Sequence, residues 1–319
     1  MAPGNRKEPK RADSSESQYS LMEFVRDFPD DKTCLRWLWT TRYAPDGTNA
    51  YCPRCETERA FHRYDTKQQR QSWTCTACSL HIHPTAGTIF HKSSTALHLW
   101  FYAMYLMTST RCGISAKQLE RELGVTYKTA WRMFTLIRNE LMGQDDGTTL
   151  SGAVEADEMF MGGKPRLADR RNLTRVQMVA RKTMVFGAVE RGGKVQAQVI
   201  PSKYGDTLTR QIESRVHKAG AIIYTDESKS YRGLARRGWE HKTIDHSSKV
   251  YVSGDVHTQT IDGFWSLVKR GISGTHHAVS PKWLQGYLNE YVWRYNHRDS
   301  RRAMFLALLL KAATTGGTQ

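Results

Sequence analysis

The chain has 319 residues, 39% of them hydrophobic, enough to build cores in two or three domains. Its 47 Lys and Arg outnumber 31 Asp and Glu, a formal charge of +16, so a polyanionic partner is expected, nucleic acid ahead of an anionic membrane surface. The longest apolar run near the end, Ala303 to Leu310, is too short to span a bilayer, and residues 1–18 lack the apolar centre of a signal peptide; the expectation is a cytoplasmic protein with no membrane partner, nucleoid-associated if bacterial.

Residues 1–18 read as a disordered polar tail, and 19–90 as a helix followed by a zinc ribbon. Cys52 and Cys55 in CPRC, and Cys75 and Cys78 in CTAC, form two Cys-x-x-Cys turns separated by Glu56 to Thr74. That spacing suits a structural zinc site in which each turn gives two thiolates to one tetrahedral Zn2+ ion. A second matched pair argues against a redox dithiol, and an intracellular setting argues against disulfides. The intervening AFHRYDTKQQRQSWTC is expected to form a hairpin with Arg, Lys and aromatic side chains suited to nucleic acid. His81 and His83 follow closely, but four cysteines leave no ligand vacancy. Cys34 and Cys112 stand in apolar surroundings and are read as buried packing residues.

Residues 91–145 read as a helical DNA-binding region. Thr95 to Thr110 is apolar enough for a core helix. Ser115 with Gln118 predicts a capping box, Leu119 and Leu123 a buried stripe, Gly124 a helix end and Thr126 a new start. Two short helices about a glycine turn make a helix-turn-helix pattern; the second carries Tyr127, Lys128, Thr129 and Arg132, residues suited to double-stranded DNA. Gly143 to Gly152 reads as a linker.

The next region opens with GAVEADEMFMGGK, whose alternation suits a strand with Glu155, Asp157, Met159 and Met161 on one face. Lys164 to Lys182 holds seven basic residues, Arg170 and Arg171 among them, against one acid, and suits a loop on the DNA backbone. A hairpin, an amphipathic helix and the apolar strand AIIYTDES follow, the last with Asp226 at its carboxyl end, where open sheets place catalytic groups. Thr260 to His277 then reads as a helix that is apolar around most of its surface, with Asp262, Ser266 and Lys269 in one narrow polar stripe. In the C-terminal helices, 276–319, SPKWLQGYLNEYVWRYNHR has apolar residues at helical spacing and ends in the DNA-competent Asn296, His297 and Arg298.

CPRC…CTAC, GTIFH, FYAMYLMTS, ISAKQLERELGVTYKTAWRM, VEADEMFMGGK, YTDESKSY, HTQTIDGFWSLVKRGISGTHHAVSP and YVWRYNHR occur in this order between about Leu35 and Arg298. Together they resemble the DDE transposases, specifically the zinc-ribbon insertion-sequence transposases related to ISXO-like and Merlin elements. The resemblance implies a multidomain α+β/α/β chain: an N-terminal zinc ribbon and helix-turn-helix, a ribonuclease-H-like mixed-sheet catalytic domain over 150–275, then C-terminal helices. It implies that Asp157, Asp226 and Asp262 are catalytic metal ligands, with Lys269 a phosphate clamp and Arg270 beside it on the DNA. Thirty-five residues, Glu227 to Ile261, separate the last two acids. The family commonly has Glu as the third acid, so Asp262 is one methylene shorter, and Asp255 and Gln259 are alternatives for a share of its role.

The residue types suit the implied chemistry. Cutting a phosphodiester and joining the freed 3′-hydroxyl to another strand are in-line displacements at phosphorus, served by two Mg2+ or Mn2+ ions about 3.5–4 Å apart on carboxylate oxygens. The implied activity is transposition: binding the element's terminal repeats, metal-dependent cleavage and strand transfer, in a homo-oligomeric synapse. The rival readings are a non-catalytic DNA-binding regulator derived from a transposase and a nuclease without strand transfer.

Overall fold

A computed structural model describes residues 14–15, 18–64, 71–143, 147, 149–162, 174, 177–178, 182–202, 204–244 and 257–315. The N-terminal tail up to residue 13, Arg170, Arg171 and Asp255 lie outside these described residues. The chain divides into two compact units, Met1–Leu141 with His297–Gln319, and Met142–Asn296.

The first unit begins with α1 (Leu21–Asp27) and α2 (Asp31–Arg42), each opened by a side chain that takes up an orphan backbone amide: Ser20 with Glu23 in a reciprocal box, and Asp30 on the Thr33 amide. Four antiparallel strands follow in the order β1 (Asn49–Cys52), β2 (Thr57–Tyr64), β3 (Ser72–Cys75) and β4 (His81–Ile82). Each Cys-x-x-Cys turn is the tip of a hairpin, and the pairing of β2 with β3 brings the two tips together. Trp39 of α2 stacks on Trp73 at 4.8 Å, with the Phe61 ring 5.5 Å away. So small a sheet has little apolar area of its own, and α2 supplies the missing layer.

Helix α3 (Leu97–Ser109) is buried along most of its length, as its composition predicts. α4 (Ala116–Leu123) ends at Gly124 with φ +62°, the left-handed conformation glycine adopts without strain, and α5 (Tyr127–Leu136) opens at Thr126, whose hydroxyl accepts the Thr129 amide. The capping box is only half formed. Ser115 accepts the Gln118 amide, but the Gln118 side chain bonds Glu122 and Arg121, partners available one turn along the helix. Cys34 is buried as expected, whereas Cys112 is exposed, because it falls in the turn after α3 and not on a packed face. The two C-terminal helices grouped at 276–319 separate: the last, Met304–Thr314, packs on α3 and α2, its Phe305 ring within 5.0–5.9 Å of Tyr19, Phe24, Phe28 and Tyr105.

The second unit contains β5 (Ala153–Met161), β6 (Thr183–Glu190), β7 (Val195–Ile200), α6 (Gly205–Glu213), β8 (Ile222–Asp226), α7 (Gly233–Arg236), β9 (Glu240–Ile244), α8 (Gln259–Gly271) and α9 (Leu284–His297). Its mixed sheet has the order β7-β6-β5-β8-β9; β6 is antiparallel to both β5 and β7, while β8 and β9 run parallel to β5. Strand β9 has no counterpart among the sequence expectations. It is largely exposed, so it lacks apolar alternation, and its place comes from non-local pairing with β8.

Both faces of the sheet are covered. Val154, Phe186 and Ile223 pack with Leu208 and Ile212 of α6 and Leu234 of α7; on the other face Met159, Met161 and Val185 pack with Ile261, Phe264, Trp265 and Val268 of α8 and with Leu284, Leu288 and Tyr291 of α9. The expected apolar circumference of α8 is therefore its docked surface. At its end the helix runs on as a π turn, Ile272–His276, and Gly271 gives room to α9: a Cβ there would meet the Tyr291 hydroxyl at 1.9 Å. Asn296 of α9 accepts the Val195 amide at 2.7 Å and donates to the Val195 carbonyl at 3.0 Å, while Gln285 accepts the Val199 amide and donates to the Ala197 carbonyl. The amide of Asn296, read from sequence as DNA-competent, is thus spent on the backbone of β7. Among the described residues no helix is long and apolar enough to cross a membrane.

Candidate functional site

Asp157 stands on the central strand β5. Strands β5 and β8 are paired in parallel as far as Glu155 and Tyr224, and two residues beyond that pair come Asp157 and Asp226, on one face of the sheet. The Ser228 amide donates to Asp226 Oδ1 at 3.1 Å. Helix α8 packs over the same face and carries Asp262 in its first turn. The charges are coupled: Asp157 is pushed up to about 7, first by burial, then by the carboxylates of Glu158, Asp226 and Asp262, with the Glu158 amide offsetting only part. Asp262, Ser266 and Lys269 are all exposed along the expected stripe, with Arg270 exposed beside them.

The indole Nε1 of Trp265 donates to Asp157 Oδ2 at 2.9 Å. It gets there because Asp157 faces Gly187 across the β5–β6 pair; a Cβ at 187 would lie 2.4 Å from the Trp265 ring. Neither Trp265 nor Gly187 is singled out by the sequence reading. The available signal was Gly187 itself, an isolated glycine within an apolar strand, which marks a close approach by another group.

Two residues before Asp157, Glu155 is fully buried. Its Oε2 accepts the amides of Thr260 and Ile261 at 2.8 and 3.0 Å, and its Oε1 accepts the Thr260 hydroxyl at 3.0 Å and Arg191 Nε at 2.7 Å. His257 Nδ1 lies 3.1 Å from Oε1, within ion-pair reach when protonated but not aligned as a hydrogen bond. Thr258, the residue that opens α8, makes no side-chain cap of its own, so a strand carboxylate caps this helix from outside.

The cysteine turns form the second group. Cys52, Cys55, Cys75 and Cys78 have sulfurs within 4.8 Å of one another; among the described residues this is the only set of three or more His, Cys, Asp or Glu side chains drawn so close. The residues after each turn, Glu56 and Ser79, both have positive φ, 54° and 59°, which folds the backbone around the sulfurs. The Cys75 thiol is pushed down to about 7: burial opposes ionisation, but the Cys78 and Ala77 amides and the neighbouring Cys78 and Cys52 thiols outweigh it. Four thiols with that spacing fit a tetrahedral zinc ion. His81 lies outside this set, and its Nδ1 is engaged by Thr74 Oγ1 at 2.8 Å.

On α5, Tyr127, Lys128 and Arg132 are exposed, and the Lys117 ammonium sits 5.5 Å over the Tyr127 ring. Thr129 is half-buried and its hydroxyl lies 3.0 Å from that of Thr126, so it helps open the helix. Arg298 is half-exposed and paired with Asp299 at 3.1 Å.

Comparison with known proteins points to transposases. The family model described as the ISXO2-like transposase domain matches residues 149–296, which spans the mixed-sheet unit. The chain is 31% identical over 282 residues to "Uncharacterized protein in transposable element ISH50" of Halobacterium salinarum, a match covering 85% of this chain and 92% of the relative. It is 29% identical over 106 residues to "Uncharacterized transposase-like protein" of Haemophilus influenzae, covering 33% of this chain and 84% of that protein.

Proposed function

The chain belongs to the ISXO2-like transposase family, and from that premise we propose that it is a DDE-type DNA transposase, which binds element ends, cleaves them and joins them to target DNA. The observation that carries this reading is the placement of Asp157 on a central strand, Asp226 at the end of its parallel neighbour and Asp262 in the first turn of a helix docked on their common face. The strand order, with two acids on adjacent parallel strands, supports a ribonuclease-H-like domain.

The donors, three carboxylates, are of the kind hard divalent cations take, and their oxygens are not all drawn within 4.8 Å of one another as the cysteine sulfurs are. The neighbouring carboxylates that raise the proton affinity of Asp157 would be offset by a cation placed beside it. Asp157, Asp226 and Asp262 are the residues to hold Mg2+ or Mn2+; when bound, such ions activate an attacking oxygen and stabilise a leaving one. Trp265 fixes the Oδ2 oxygen of Asp157 by donating its indole N–H. Lys269, two turns after Asp262 on the exposed stripe, is the phosphate clamp, with Arg270 next to it. Tyr127, Lys128, Thr129 and Arg132 make α5 the recognition helix of a helix-turn-helix, and the four cysteines hold a structural zinc. Arg298, Arg170 and Arg171 complete the basic contacts to DNA, and two element ends in one synapse call for a homo-oligomer.

Asp157→Asn is expected to abolish Mg2+-dependent cleavage of end-containing DNA while leaving DNA binding intact. Undiminished cleavage would overturn the mechanism. Wild-type protein that binds ends but neither cuts nor joins them would be the regulator of the rival reading, and cutting without joining would make it a nuclease.

A further inference from the structure

The three acids share a feature that their own positions do not explain. Each stands two residues beyond a member of one buried network: Glu155 before Asp157, Tyr224 before Asp226 and Thr260 before Asp262. Glu155 is the hub. Its carboxylate takes both amides and the hydroxyl at the start of α8, and its pairing with Arg191 holds that guanidinium 4.1 Å over the Tyr224 ring. Arg191 in turn donates to the His257 carbonyl at 2.7 Å, just ahead of the helix. Glu155 itself is fully buried, so a water molecule is not a ready substitute for the contacts it makes.

We propose that Glu155 is a positioning residue that, through Thr260, Ile261, Arg191 and Tyr224, sets the spacing of Asp157, Asp226 and Asp262 and thereby the divalent-cation affinity of the site. The proposal rests on the metal-dependent reading above. A helix start held only by its own N-cap is free to fray, and the carboxylate in its first turn moves with it. Capping by a rigid central strand ties Asp262 to the same backbone that carries Asp157. Groups that orient metal ligands without touching the metal act in this way, and their loss weakens metal affinity by about 10–100-fold.

The test is Mn2+ titration of the full-length protein, free Mn2+ being read by electron paramagnetic resonance, for wild type, Glu155→Gln, Thr260→Val and Asp157→Asn. Glu155→Gln is expected to lower the affinity of the Asp157-dependent site by at least about tenfold, and to raise the Mn2+ concentration for half-maximal cleavage in parallel, with activity restored at high Mn2+. Thr260→Val removes a single hydroxyl contact and leaves the buried charge alone; a shift of about threefold in the same direction is expected, and it decides the matter if Glu155→Gln does not fold. A folded variant with unchanged Mn2+ affinity, or one whose only defect is a smaller active fraction at every Mn2+ concentration, overturns the positioning role. Wild type and Asp157→Asn that bind Mn2+ identically overturn the metal reading, and the positioning role with it.

Discussion

The cysteines and the acids are gathered by different routes. The four sulfurs lie within 4.8 Å of one another because two hairpin tips, each turned by a residue of positive φ, meet across one strand pair; everything involved is local backbone. The three acids come from two strands and a helix, and they are held by what lies around them: Glu155 at the start of α8, Trp265 on Asp157, Gly187 opened for the indole. A thiolate cluster needs its ion in order to persist, since small ribbons have little else to stabilise them. The acid site sits on a sheet cored on both faces, whose apolar burial is a source of stability that involves no ion.

Zinc removal is the strongest way to separate the two. Zinc binding to such sites is worth about 10–16 kcal/mol near neutral pH, so a chelator, or Cys52→Ser, is expected to unfold the ribbon, with loss of the Trp39–Trp73 stack seen in tryptophan fluorescence and weaker binding of element ends. The mixed-sheet unit should keep its protection from hydrogen exchange; a uniform loss would show that the two sites are not independent.

Glu155→Ala comes next. It strips a buried carboxylate from Arg191 and from the start of α8, and the expected cost is about 3–5 kcal/mol, measured by denaturant unfolding of that unit. A change below about 1 kcal/mol would mean that the network is dispensable to the fold.

The pH response follows from Asp157. In the folded protein its carboxyl keeps a proton up to about 7, whereas an unfolded aspartate loses it near 3.9, so between these limits the folded state binds more protons. Stability of the metal-free protein is therefore expected to be greatest at the acid end of this window and to fall as pH rises towards 7, by an amount on the order of a few kcal/mol, then to level off. Thermal scans across the window check this; Asp157→Asn or added Mn2+ should flatten that component, and a profile unchanged by Asp157→Asn would refute its origin.

The smallest effect is expected of Gly187→Ala. The new methyl would press on Trp265, and overpacking of this kind costs about 1–3 kcal/mol. A shifted Trp265 also loses its bond to Asp157, so cleavage should fall further than the melting temperature alone implies.

Much of this was legible in the residues. Strand alternation placed Asp157 and Glu155 on one face, the Cys-x-x-Cys spacing marked the cluster, and the apolar circumference of α8 foretold that it docks. What escaped is contact made at long range. Strand β9 has no apolar signature, Glu155 reads as one more acid until α8 is seen to begin beside it, and Asn296 looks like a surface amide until β7 runs past it. Sequence patterns report which face a residue takes, but they do not report what arrives there from a hundred residues away.

That last contact reaches beyond the single chain. The Val195 and Val199 amides and the Val195 and Ala197 carbonyls of β7 are taken by Asn296 and Gln285, so these four backbone groups are withdrawn from pairing with a second copy at this border of the sheet. Side-chain amides thus blunt the edge at which chains could fuse into a continuous sheet, and leave contact between copies at this border mainly to side chains, whose association is readily reversed.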